Sequence, residues 1–243
     1  LAEVSNLSSR YVGKYAESLS VLSNAAVLIQ RAQGHPPEGK VTHAIVETML
    51  NAFVPISYAL IWSILLLGGD TKTQDAVHAQ AHVRPSSPSN LTASKERLVD
   101  RVVRESLRLF PPAWLLGRVC TAAASVDGTS VLPGQFLTIC PYAVQRSPML
   151  WNHPDLFDPD RFVVRKAYSY FPFGGGGRIC PAARFVPHML SVMIEGFIEL
   201  FSIRTRTFPK PLGLIGLRPG PELDIRIRRR AIRKLRSERR SRG

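Results

Sequence analysis

A chain of 243 residues that is 45% hydrophobic can bury the core of one large domain or two small ones, and 21% charged residues argue against wholesale disorder. The formal charge of +14 is uneven: residues 226–243 hold ten Lys/Arg and one Glu, so about +9 of it sits in the last 18 residues. That run has no interleaved aromatics and no nucleic-acid module beside it, so it reads as a solvated basic tail over 229–243, with no specific nucleic-acid partner expected.

Residues 1–33 contain helix-compatible stretches of mixed polarity, broken by HPPEG at 35–39. Residues 48–69, TMLNAFVPISYALIWSILLLGG, carry no charge. That length suits a membrane span or a central helix buried on all sides. Asn51, Pro55 and Ser57 favour the second, and GGD at 68–70 ends the helix. A short helix (TQDAVHAQAHV) and a loop (RPSSPSN) follow. Ser94 is the expected cap of a helix running to about Phe110, with Arg97 in the slot where a capping box wants Glu.

Two β-type runs flank Asp127-Gly128, a hairpin turn signal. Cys120 and Cys140 lie in these apolar runs and read as buried core thiols. Residues 146–179 are loop-rich and end in glycines. From Pro181 to Phe201 the apolar spacing is helical, and Pro187 inside it predicts a kink costing roughly 3 kcal/mol. FSIRTR and LDIRIR return to β, joined by a Pro/Gly-rich loop over 208–221.

Three cysteines with wide gaps make neither a disulfide framework nor a zinc site. Their usage favours a reducing compartment. No basic start leads into a short apolar leader, so a cytoplasmic location is expected, although the chain opens on Leu1 and an anchor could precede it.

Cys180 has distinctive surroundings, FGGGGRIC over 173–180. Pro181 is a favoured first helical residue, which predicts the thiol at a helix N-terminus, where the dipole and Arg178 favour thiolate. Glycines without Cβ atoms let a large flat group approach the backbone, and Phe173 can cover one side of it. Three uses fit. A nucleophile needs a histidine base, and His188 faces no evident partner. A phosphate loop would need Lys-Ser/Thr after the glycines. A single thiolate can also ligate haem iron.

The pattern Phe-x-x-Gly-x-Arg-x-Cys at Phe173, Gly176, Arg178 and Cys180 resembles the cytochrome P-450 family of haem-thiolate oxygenases. Ala182 stands where that family usually has a final Gly. RESLRLFPP at 104–112 resembles the family's Glu-x-x-Arg helix, with Glu105 and Arg108 on one face, and FDPDRF at 157–162 supplies Arg161 as the third partner. The resemblance covers about residues 40–228 and implies a mainly α fold with small β-sheets. Its parts would be a central long helix, the Glu-x-x-Arg helix, a meander, and the cysteine-ligand loop with its following helix. It also implies haem b (iron protoporphyrin IX) with Cys180 as ligand, Arg118 and Arg178 toward the propionates, and a locked Glu105–Arg108–Arg161 network.

The family's central helix carries a small residue and an acid–alcohol pair. Here Ala52 is the small residue, Val54 and Ile56 stand at the acid and alcohol positions, and Ser57 is the nearby hydroxyl. Neither Val54 nor Ile56 carries a proton. The resemblance implies monooxygenation of a small hydrophobic substrate, touching residues 112–117 and 213–217. Electrons would come from a ferredoxin or flavoprotein reductase. A peroxide-using or non-hydroxylating haem-thiolate enzyme, and an inactive homologue acting through its basic tail, are the alternatives. Family members are nearly twice as long, so residues 1–228 correspond to the C-terminal, haem-binding half and are expected to hold haem poorly alone.

Overall fold

The computed structural model describes residues 38–81, 96–163, 169–214 and 216–230, with side chains from Ala52 onward in the first helix. The stretches expected to be helical within 1–33, the expected cap Ser94 and the tail beyond Arg230 lie outside the described residues. Two compact units divide at Val54/Pro55. The first contributes the N-terminal half of helix α1 (Glu38–Gly69), and the second holds everything else described.

Helix α1 follows Pro36-Pro37 and runs for 32 residues, with Pro55 inside it. Its stretch Ala52–Gly69 is long and apolar enough to cross a membrane by length and composition, with mean hydropathy 1.8. Within the second unit its buried residues Ala59, Trp62, Leu65 and Leu67 serve two protein cores instead. The helix stops at Gly68-Gly69. Asp70 then caps α2 (Thr71–Ala81), its carboxylate accepting from the Thr73 N–H at 3.1 Å and the Thr73 hydroxyl at 2.6 Å.

Helix α3 (Leu98–Leu109) is strongly one-sided: Val99, Val102, Val103 and Leu107 are buried, while Arg101 and Arg104 are not. It starts four residues after the expected Ser94 cap, with Arg97 as the flanking residue. The Arg97 guanidinium is drawn away from the helix end by two carboxylates, Asp100 at 2.8 Å and Glu195 at 2.9 Å.

Strands β1 (Leu116–Val119) and β4 (Phe136–Ile139) pair antiparallel around an inner hairpin, β2 (Ala124–Val126) and β3 (Thr129–Val131). Asp127 and Gly128, with φ of 48° and 76°, make the mirror-image turn that matches strand twist. Cys120 and Cys140 are half-buried, not core thiols: each sits just past the end of its strand, where the chain leaves the pair. Helix α4 (Pro141–Val144) leads into the meander.

Helix α5 (Phe185–Leu200) begins four residues later than expected. A Pro ring at 187 would clash with the carbonyl of residue 183 in a continuous helix, so the chain turns over 181–184 and enters the helix at 185. Pro187 then falls in the first turn, where a missing N–H costs nothing, so it does not stand in the helix interior. Strand β5 (Phe201–Thr207) pairs with β8 (Asp224–Arg229), and the expected loop between them contains a small hairpin, β6 (Pro211–Gly213) with β7 (Leu217–Pro219). Arg229 completes β8, and Arg230 still donates its N–H to Leu200 at 2.8 Å, so the basic tail starts later than position 229.

One core joins α1, α2, α3 and α5 through Leu67, Val77, Val103, Leu190 and Ile194; a second gathers Trp62, Phe110 and Leu217. In the second, Trp62 stacks on Phe110 with ring centroids 3.9 Å apart. The result is a mainly α architecture with small two-stranded sheets.

Candidate functional site

Glu105 and Arg108 lie three apart on the buried face of α3, and both side chains are wholly removed from solvent. Arg108 forks onto the carboxylate, Nε to Oε2 at 2.7 Å and Nη2 to Oε1 at 2.8 Å. Arg161 donates Nε to Oε1 at 2.8 Å, and the Asp158 N–H adds a bond at 3.0 Å. The remaining guanidinium hydrogens find carbonyls: Arg108 reaches Gln145 and Pro154, and Arg161 reaches Asn152 and Leu156. Such complete pairing is what a buried charge requires.

Gln145 extends this network to the cysteine loop, and sequence reasoning missed it. Its amide donates to the carbonyls of Leu107 and Arg108, while its oxygen accepts the Phe171 N–H at 2.8 Å. The Phe171 carbonyl accepts from Gly174, and the Phe173 carbonyl accepts from Cys180, each at 3.0 Å. A continuous run of hydrogen bonds thus leads from Glu105 to the residues that fix the loop's base. The only trace in the sequence is a polar residue one step after an apolar turn, PYAV.

The four glycines divide into two kinds. Gly174 and Gly176 have φ of 73° and 66°, which L side chains rarely adopt. Gly175 and Gly177 have ordinary backbone, and a Cβ on either would meet nothing within 4 Å. A Cβ on Gly174 would come 3.8 Å from Leu116 Cδ1, so the loop lies against β1, the strand that carries Arg118.

Cys180 is a free, half-exposed thiol one turn ahead of α5, not at its first residue. Arg118 and Arg178 are exposed, and neither has a carboxylate partner among the described residues; Arg118 bonds only the carbonyl of Gly117, at 2.7 Å. Phe173 and Ala182 pack against the first core, on which Ile56 and Leu60 of α1 also pack. Val119, Phe136, Ile139, Ile179 and Phe185 stand exposed. A single thiol, two unpaired cations, open glycine backbone and bare apolar side chains fit a flat apolar ligand with two carboxylates, which is the chemistry of haem. No histidine hydrogen-bonds Cys180 among the described residues; His188 is exposed on α5. Nor do three His, Cys, Asp or Glu side chains gather there as a metal cluster would.

On α1, Ala52 and Ser57 are half-buried and Val54 is exposed. The two apolar segments expected at a substrate meet each other. Trp114 Nε1 donates to the Leu214 carbonyl at 3.0 Å, and the Leu217 N–H donates to Pro112 at 3.0 Å. Gly213 and Gly216 permit this: a Cβ would lie 2.8 Å from the Trp114 ring and 3.0 Å from Tyr58 of α1.

Residues 18–221 match the cytochrome P-450 family model. Cyclooctatin synthase of Streptomyces melanosporofaciens is 35% identical over 75% of this chain and 40% of its own length. Cytochrome P-450 4V2 of Homo sapiens is 33% identical over 71% of this chain and 35% of its own. The chain therefore spans about two fifths or less of the length of these relatives. A six-coordinated cytochrome P-450 from Thermus thermophilus superposes with a TM-score of 0.67 over 89% of this chain and 57% of that one, at 24% identity. A second from the same species gives 0.68 over 90% and 54%, at 25% identity. With a family match over most of its length and the same fold in these solved structures, the chain belongs to the cytochrome P-450 family.

Proposed function

We infer that this chain is the haem-ligating part of a monooxygenase that oxidises a hydrophobic organic substrate with electrons from a ferredoxin or flavoprotein reductase. The observation that carries the reading is Cys180: a free thiol on a loop tied through Phe171 and Gln145 to the buried Glu105–Arg108 pair. Haem bound there through thiolate would supply activation of dioxygen.

The chain's own residues do the rest. Cys180 Sγ would be the iron ligand, and the hydrogen bond from its N–H to the Phe173 carbonyl fixes the backbone from which the thiol projects. The guanidinium groups of Arg118 and Arg178 would pair with the propionate carboxylates. Gly175 and Gly177 leave the backbone bare beside the ring. Trp114, Leu115 and Leu214 offer apolar surface to substrate, with Trp114 held in place by its indole N–H. The Ser57 hydroxyl, next in sequence to Ile56, is the group proposed to carry the proton.

Those two positions favour a second reading. Ile56 packs into the core and neither residue exchanges a proton, so a peroxide-using or non-hydroxylating haem-thiolate reaction fits them better than hydroxylation does. Carbon monoxide difference spectroscopy on the full gene product tests the shared claim. A thiolate-type, red-shifted Soret band that disappears in Cys180→Ala is expected; an unchanged band in the variant removes Cys180 from the iron. Product formation with peroxide but not with reductase and dioxygen then selects the second reading.

A further inference from the structure

Far from the cysteine in sequence, the β5–β8 sheet bears a cluster of arginines that haem chemistry does not use. Alternation along the strands turns Ile203, on β5, into the core and sends Arg204 and Arg206, with Arg226 and Arg228, outward. These four line a cavity of about 400 Å³ between the sheet and the start of α2. Arg204 stands directly opposite Arg226 in the strand register. Like charges in that position destabilise a sheet.

Nearby acids do not relieve the clash. Asp224 is 3.9 Å from Arg206, and Asp75 pairs with Arg230 at 3.0 Å. Arg204, Arg226 and Arg228 have no carboxylate partner among the described residues. The floor is firm: buried Gln74 donates to the carbonyls of Leu67 and Ile203 and accepts the Ile203 N–H, each at 2.9 Å. Neighbours on one face of a strand are about 7 Å apart, and directly opposed residues about 5 Å. Guanidinium forks on that grid suit several phosphate oxygens at once.

We propose that this cavity binds an oligophosphate group, two or more linked or adjacent phosphates held by Arg204, Arg226 and Arg228. The bound anion offsets the repulsion between Arg204 and Arg226. Phosphates of this kind occur on a soluble oligophosphate and on a phosphorylated inositol lipid headgroup.

The full chain is titrated with inorganic tripolyphosphate by calorimetry, and separately floated with phosphatidylcholine vesicles with and without phosphatidylinositol 4,5-bisphosphate. Saturable binding in either arm supports the site, and the responding arm identifies the source. The double variant Arg204→Gln/Arg226→Gln should weaken binding at least about tenfold, the scale of losing charge-assisted bonds. The control Arg239→Gln/Arg240→Gln removes the same charge from the tail and should leave it unchanged. Circular dichroism verifies that each variant is folded, and Arg228→Gln replaces the double variant if that one is not. Equal loss in the cavity and tail variants, or tripolyphosphate binding no tighter than sulfate at equal ionic strength, overturns the proposal.

Discussion

Glu105 is the carboxylate on which both arginines of the buried network converge. It accepts from two guanidinium groups and a backbone N–H with no solvent access. Glu105→Gln leaves Arg108 charged and uncompensated in the interior and should cost about 3–5 kcal/mol. Arg161→Lys keeps the charge but loses the guanidinium bonds to the Asn152 and Leu156 carbonyls and should cost about 1–3 kcal/mol. Urea unfolding midpoints measure both, and equal midpoints for Glu105→Gln and the parent would show the pair to be dispensable. The three charged members were expected only through the family resemblance, since an i,i+3 Glu–Arg pair by itself is common on solvated helices. Gln145 was not, because nothing in a lone glutamine reveals that its two ends serve backbone 26 and 38 residues away.

At the scale of elements, α3 is fastened to α5 by Arg97, which clasps Asp100 and Glu195. Burial pushes the Asp100 carboxyl up, but the Arg97 guanidinium, with the Ser191 hydroxyl beside it, holds it below its ordinary value of 3.8. A depressed carboxyl contributes stability above its unfolded-state value and loses it as the pH falls through the folded one. Thermal midpoints should therefore drop in acid below about pH 4, and Arg97→Gln should flatten that drop. The side chains are 41% and 31% exposed, so added salt should shrink the effect as well. An acid limb identical in Arg97→Gln would assign it elsewhere. The β2–β3 hairpin was legible because the chemistry of its Asp127-Gly128 turn is local, whereas β6–β7 was read as loop from its Pro and Gly content. The start of α5 was misread because Pro187 was taken to kink a helix begun at Pro181, whereas the helix begins at Phe185 and leaves Pro187 in its first turn.

Considered whole, the residues proposed to hold haem stand open: Cys180 is half-exposed, Arg118 and Arg178 stand in solvent, and nothing lies within 4 Å of the Cβ sites at Gly175 and Gly177. The 243-residue chain by itself should bind hemin substoichiometrically, read from the Soret absorbance during titration. A one-to-one thiolate spectrum would show that these residues need no further cover. The second core is closed by a different device, the Trp62 indole bonded at 2.8 Å to the Leu217 carbonyl 155 residues downstream. During synthesis at roughly 5–20 residues per second, the apolar helix around Trp62 waits about 8–30 s for that carbonyl to leave the ribosome. For that interval a nascent chain leaves the apolar stretch Ala52–Gly69 without the later residues that cover it, which makes aggregation during synthesis a hazard for chaperones to meet.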